Sequence, residues 1–162
     1  MKRGLKPVKI KTSMITKIGK QKLEENLEKL RQELSKVGKK RGQAAAGGDL
    51  KENSAYIFLT EKARFIYCQI EEIMTDLKKA VVQNPPDHTD FVCFGHQVSV
   101  LYENDKTQKT LTLVGKNDAR LFPDWISYET PIGQALMGKK TGDKVMINNQ
   151  PVKIISISIA KI

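Results

Sequence analysis

Two stretches of the chain share one apolar spacing, and together they leave few folds open. From Ile18 onward the apolar residues Leu23, Leu27, Leu30, Leu34 and Val37 follow steps of four, three, four and three. The same spacing resumes at Tyr56, Leu59, Ala63, Ile66, Ile70, Ile73, Leu77 and Ala80. A repeat averaging about 3.5 residues keeps a single stripe of a helix turned toward one partner. Between the stripes stands a short break containing Gly47-Gly48, which allows a tight reversal. Two matching stripes joined by so short a bend predict an antiparallel helical hairpin, with a coiled coil between chains as the alternative. Arms of roughly 30 residues would each reach about 45 Å.

Asn84-Pro85-Pro86-Asp87 is expected to end the second helix, because proline cannot continue a helical ladder and disfavours helical geometry just before it. Beyond it the pattern changes to β-rich runs at 91–94, 97–102, 110–114, 125–128, 144–147 and 152–159, with turn chemistry at Gly95, Asn104-Asp105 and Gly142-Asp143. A short helix is expected at 132–137, after Pro131 and before Gly138. The expected class is α+β, a helical hairpin followed by a small, mostly antiparallel β domain with a short helix. The boundaries are a basic flexible tail over 1–13, a hairpin domain over 14–83 and a β domain over 84–162.

Charge narrows the partners. The 162 residues carry 28 Lys and Arg against 18 Asp and Glu. The whole excess of ten lies before residue 49, where 14 basic side chains face only Glu24, Glu25, Glu28 and Glu33. Such a block suits a polyanionic partner, and it equally suits a solvated face that keeps a protein in solution. No apolar run approaches the ~18 residues of a membrane span. Cys68 and Cys93 show no pairing pattern and point to a reducing compartment, read here as the cytoplasm. His88 and His96 flank Cys93 at a spacing that matches no zinc motif, so structural or exposed roles are expected.

The bend holds the chemistry. It reads Gly48-Asp49-Leu50-Lys51-Glu52-Asn53-Ser54-Ala55-Tyr56. Asp49 with Glu52 three residues later fits a capping box at the start of the second helix. The same segment resembles the Gly-Asp-x-x-Glu-Asn-x-x-Tyr tip of the bacterial Gre transcript-cleavage factors, GreA and GreB. Further segments fall in the family's order: Ile15-Thr16-Lys17-Ile18-Gly19, Phe94-Gly95-His96-Gln97-Val98, Val114-Gly115, Ile126-Ser127, and Thr130-Pro131-Ile132-Gly133-Gln134-Ala135-Leu136-Met137-Gly138 through Asp143. Several motifs in register, from about Ile15 to the carboxyl end, are far more specific than any one of them.

The resemblance implies a coiled-coil hairpin with an acidic tip and an FKBP-like β domain that docks on bacterial RNA polymerase. The hairpin would enter the polymerase secondary channel and meet the extruded 3′ end of the nascent RNA. By correspondence, Asp49 and Glu52 would be donated to the polymerase active site, holding a second Mg²⁺ and its water there, and only there. Two carboxylates cannot fill an octahedral shell in the free protein. Asn53 and Tyr56 match the motif, Asn53 as a contact to RNA or to a neighbouring loop and Tyr56 as a packing residue. Lys36, Lys39, Lys40 and Arg41 would lie near the tip beside RNA, or serve as exposed flanks of the coiled coil. DNA would be met indirectly, through the elongation complex, by a monomer with no membrane role and no catalytic activity of its own.

The sequence departs from the pattern at Ala55, where an acidic residue is common in the family, and at Ala45, where many GreA-type members carry Arg. The Ala-rich approach to the tip looks nearer the GreB type. The competing readings are a channel-occupying regulator without cleavage activity, an FKBP-type prolyl isomerase, and an adaptor binding DNA directly. The isomerase reading suffers because aromatic residues are 6% of the chain and Trp125, its one tryptophan, is expected in the core.

Overall fold

The computed structural model describes residues 12–48, 50 and 52–162. The element order is β1 (Ser13–Ile15), α1 (Lys17–Ala45), α2 (Ser54–Lys79), β2 (Ala80–Val82), β3 (His96–Tyr102), β4 (Gln108–Val114), a 3₁₀ turn (Asp118–Arg120), β5 (Trp125–Ser127), α3 (Pro131–Leu136), β6 (Lys144–Ile147) and β7 (Gln150–Ile159). Two compact units emerge, one over Gln21–Lys78 and the other joining the chain up to Lys20 with Lys79–Ile162.

The first unit is the expected hairpin. Leu27 and Val37 of α1 bury against Ala63, Ile66, Ile70 and Ile73 of α2, with Leu23, Leu30, Leu34, Leu59 and Leu77 filling the margins. Both stripes therefore close on each other within one chain, as their common spacing requires. Lys62 Nζ lies 2.9 Å from Glu33 Oε1 across the two arms, an exposed pair that adds register more than stability.

In the second unit, five strands run in the order β5-β4-β3-β7-β6. All neighbours are antiparallel except β4 with β5. Val98 and Val100 of β3, Leu111 and Leu113 of β4, and Val152 and Ile154 of β7 turn one face inward onto Val92 and Leu136. The β3–β7 register slips between Ser99 and Val100, which leaves Ile155 as an extra residue on β7 and ends the strand's clean in–out alternation. Asn148 and Asn149, both at positive φ, make the two-residue link from β6 to β7.

Several local expectations are corrected. The second helix stops at Lys79, well before Asn84-Pro85, because Ala80–Val82 pair in parallel with Ser13–Ile15. The β-branched Val81 and Val82 prefer that ladder to another helical turn. Ser13 thus belongs to a strand, while the rest of the expected tail up to residue 11 lies outside the described residues. Residues 91–94 form no strand, although Val92 and Phe94 are buried. Trp125 is only half-buried. It packs at a tilt against exposed Phe122 with ring centroids 4.7 Å apart, and it stands apart from the core cluster.

The first turn of α1 is fastened by one buried acid. Thr16 caps the helix, its Oγ1 accepting from Gly19 N at 2.9 Å. Asp118, fully buried, in turn accepts from Thr16 Oγ1 at 2.5 Å, from Thr16 N at 3.1 Å and from Gly115 N at 3.2 Å. Burial raises the Asp118 pKa, while the bonds from Thr16 and Gly115 pull it the other way.

Candidate functional site at the hairpin tip

Helix α1 ends at Ala45 and α2 begins at Ser54, so residues 46–53 make the turn. Gly48 takes φ +123°, a conformation that a side chain would strain, and nothing lies within 4 Å of where its Cβ would be. Asp49 lies outside the described residues, as does Lys51. Glu52 sits exposed on the turn, one residue before the helix cap.

That cap is Asn53, not the expected pair of Asp49 with Glu52. Asn53 Oδ1 accepts from Tyr56 N at 3.0 Å and its carbonyl accepts from Ile57 N at 3.0 Å, the pattern of an N-cap. Its Nδ2 donates to Ala44 O at 2.7 Å, reaching the last turn of α1. The capping-box expectation failed because α2 starts at Ser54, which moves the cap position to residue 53. Tyr56 is half-buried in the first turn of α2, ahead of the packed seam, which opens on this helix at Leu59.

The basic residues behind the tip are split. Lys36, Lys39 and Lys40 are exposed, whereas Arg41 is half-buried. Arg41 shares a groove between the arms with Leu34, Gly38, Thr60, Arg64 and Tyr67. Nothing lies within 4 Å of a Cβ built on Gly38 or Gly42. Arg64 and Tyr67 are not singled out by the sequence because the excess of basic charge lies in the first arm. The signal was present, since Arg64 directly follows the seam residue Ala63 and Tyr67 directly follows Ile66. Two guanidinium groups and an exposed tyrosine ring suit phosphate and base contacts.

The β unit carries a separate apolar groove lined by Trp125, Ile126, Thr130, Pro131 and Ile132 among others. His96 is fully buried there in the sheet, its Nδ1 accepting from Cys93 N at 3.1 Å. Nε2 therefore carries the proton of the neutral ring, and desolvation holds the His96 pKa below its usual value. Among the described residues, no cluster of three or more His, Cys, Asp or Glu is placed to hold a metal ion. None of the described helices is long and apolar enough to cross a membrane.

A helical hairpin with an exposed acid, Glu52, on its turn, followed in the chain by a small β unit, defines the class of protein to which this fold belongs. Residues 13–82 match the family described as "Transcription elongation factor, N-terminal", and residues 86–162 match "Transcription elongation factor, GreA/GreB, C-term". Transcription elongation factor GreA of Nautilia profundicola is 36% identical over 83% of this chain and 84% of its own length. That of Thermoanaerobacter pseudethanolicus is 38% identical over 94% of this chain and 98% of its own. The chain belongs to the GreA/GreB family of transcription elongation factors. Both of these relatives bear the GreA name. Among solved structures, a GreA/GreB factor from Nitrosomonas europaea aligns at 21% identity and a TM-score of 0.41, covering 91% of this chain and 99% of that one.

Proposed function

We propose that this chain binds bacterial RNA polymerase through its secondary channel and stimulates cleavage of backtracked nascent RNA by the polymerase's own active site. The observation that carries the reading is the tip. Asn53 fills the helix cap, so α2 makes no capping demand on Glu52, which stays exposed with Asp49 three residues before it in sequence. In a family member, that leaves the Glu52 carboxylate for work outside the fold.

Asp49 and Glu52 are the residues that would hold a second Mg²⁺ in the assembled complex. Their donor set fits, since hard cations take carboxylate oxygens and two such groups complete a shell only with help from another protein. When bound there, the ion supplies charge stabilisation and a more acidic water. The chain's own residues do the rest by position. The hairpin brings the carboxylates to the scissile linkage, and Arg41, Arg64 and Tyr67 in the groove, with Lys36, Lys39 and Lys40 outside it, attract the extruded RNA 3′ end. Docking falls to the β unit, whose groove at Trp125 and Ile132 has the apolar character this needs. In this reading the factor is a cytoplasmic monomer, is no enzyme alone, and meets DNA only through the elongation complex.

The test is release of 3′ RNA fragments from a stalled, backtracked polymerase complex at saturating factor and fixed Mg²⁺. Fragments should appear with the parent and vanish with Asp49→Ala or Glu52→Ala while polymerase binding persists. One observation favours a second reading, a channel-occupying regulator without cleavage: Ala55 is an exposed methyl where the family commonly has an acid. Binding without fragments from the parent would decide for it.

A further inference from the structure

We propose that Asn53 is the positioning residue of the tip, a clamp that fixes the turn carrying Asp49 and Glu52. The inference rests on the cleavage reading above and adds a tie between the two ends of the turn. Both ends of the Asn53 amide are committed to backbone, and to two different helices. Oδ1 takes the Tyr56 N–H of α2 at 3.0 Å, while Nδ2 gives a proton to Ala44 O of α1 at 2.7 Å. Ala44 O also accepts from Gly47 N at 3.2 Å, so the last turn of α1 and the start of the reversal converge on one carbonyl. A side chain so engaged is held in one orientation by both helices, with one N–H and one lone pair already in use.

The chemistry is particular to asparagine. Capping needs an acceptor and the cross-arm bond needs a donor on the same short side chain. Aspartate keeps the acceptor but would set an oxygen against Ala44 O, and serine keeps the cap but is too short to reach across. Between the tied points lie Gly47 and Gly48, whose backbones have little stiffness of their own. Without the Nδ2 bond, the turn loses this side-chain tie between the arms, and the carboxylates would sample positions that do not serve the reaction.

The experiment uses full-length Asn53→Ser and Asn53→Asp with the stalled, backtracked complex, titrating factor and Mg²⁺ separately. Both variants should keep the parental helix content and half-saturating factor concentration. Their maximal cleavage rate should fall about 10-fold or more, with a raised Mg²⁺ requirement. Faster amide exchange at Gly47 should accompany the loss. Parental rates with a parental Mg²⁺ requirement would overturn the clamp while leaving the cleavage reading intact. So would a rate loss explained wholly by weaker polymerase binding, which would mark Asn53 as a structural cap alone. If the parent releases no fragments, the cleavage reading falls and the clamp's purpose falls with it.

Discussion

Replacing glycine by alanine inside a helix ordinarily stabilises it by about 0.5–1 kcal/mol, because alanine loses less backbone entropy on folding. Gly38→Ala and Gly42→Ala should do so here, since nothing lies within 4 Å of either new Cβ. Gly19→Ala, on the same helix α1, should reverse the sign. Its Cβ would stand 1.8 Å from Asp118 Oδ1, 2.7 Å from Asp118 Cγ and 3.1 Å from Ile15 Cγ1. Asp118 is fully buried and cannot move toward water, so clearing the methyl group means giving up bonds to Thr16 or Gly115. Leaving two buried donors unpaired costs about 2–6 kcal/mol, which outweighs the propensity gain and leaves a net loss of about 3 kcal/mol. Urea unfolding followed by Trp125 fluorescence reads the β unit, while far-UV circular dichroism reads mainly the hairpin, and the two transitions are fitted separately. A Gly19→Ala midpoint at or above that of the parent would refute the buried-acid account of this joint.

His96 makes the β unit sensitive to acid. Its pKa is lowered in the fold by desolvation first and by the nearby His88 charge, so the unfolded chain takes up the proton first as pH falls. The stabilisation is complete above the unfolded value of about 6.5 and is lost as pH drops through the lower folded value. The unfolding midpoint should therefore fall on acidification, and less steeply in His96→Asn, which keeps an acceptor for Cys93 N but does not titrate; equal slopes would contradict this. Asn149→Gly should be neutral or stabilising by about 0.5 kcal/mol, and Asn148→Val destabilising by about 1–2 kcal/mol, because both positions hold positive φ; thermal unfolding of the β unit measures each. Lys62→Ala should change hairpin stability by no more than about 0.5 kcal/mol, since its bridge to Glu33 is solvent-exposed; a larger shift in the circular dichroism midpoint would give that pair a role the geometry does not.

The hairpin was legible because its signal is periodic and self-consistent: Leu23 to Val37 and Leu59 to Leu77 have one burial solution within a chain. The β unit was legible wherever alternation met turn residues, as at Lys144–Ile147, where the expected bounds and the strand coincide. What escaped depends on distant pairing. Ser13–Ile15 and Ala80–Val82 are three residues each, too short to carry a pattern, and become strands only because they find each other across the whole hairpin. Phe91–Phe94 shows the converse, since burial of Val92 and Phe94 supplied an apolar run that no neighbouring strand edge takes up.

At the tip, local chemistry and family pattern pointed to the same residues for different reasons, and the structure separates them. Asp49 and Glu52 have the spacing of a capping box, so generic helix physics accounts for them without any function. Once Asn53 holds the cap, that explanation no longer covers the exposed Glu52, and an acid on a glycine-rich reversal needs another reason. Asn53 moved the opposite way. Its amide reads in sequence as a contact to RNA or to a neighbouring loop, and in the structure one side chain completes the last turn of α1 and the first turn of α2 at once. A residue that ties two helix ends acts on the reaction through where it holds its neighbours.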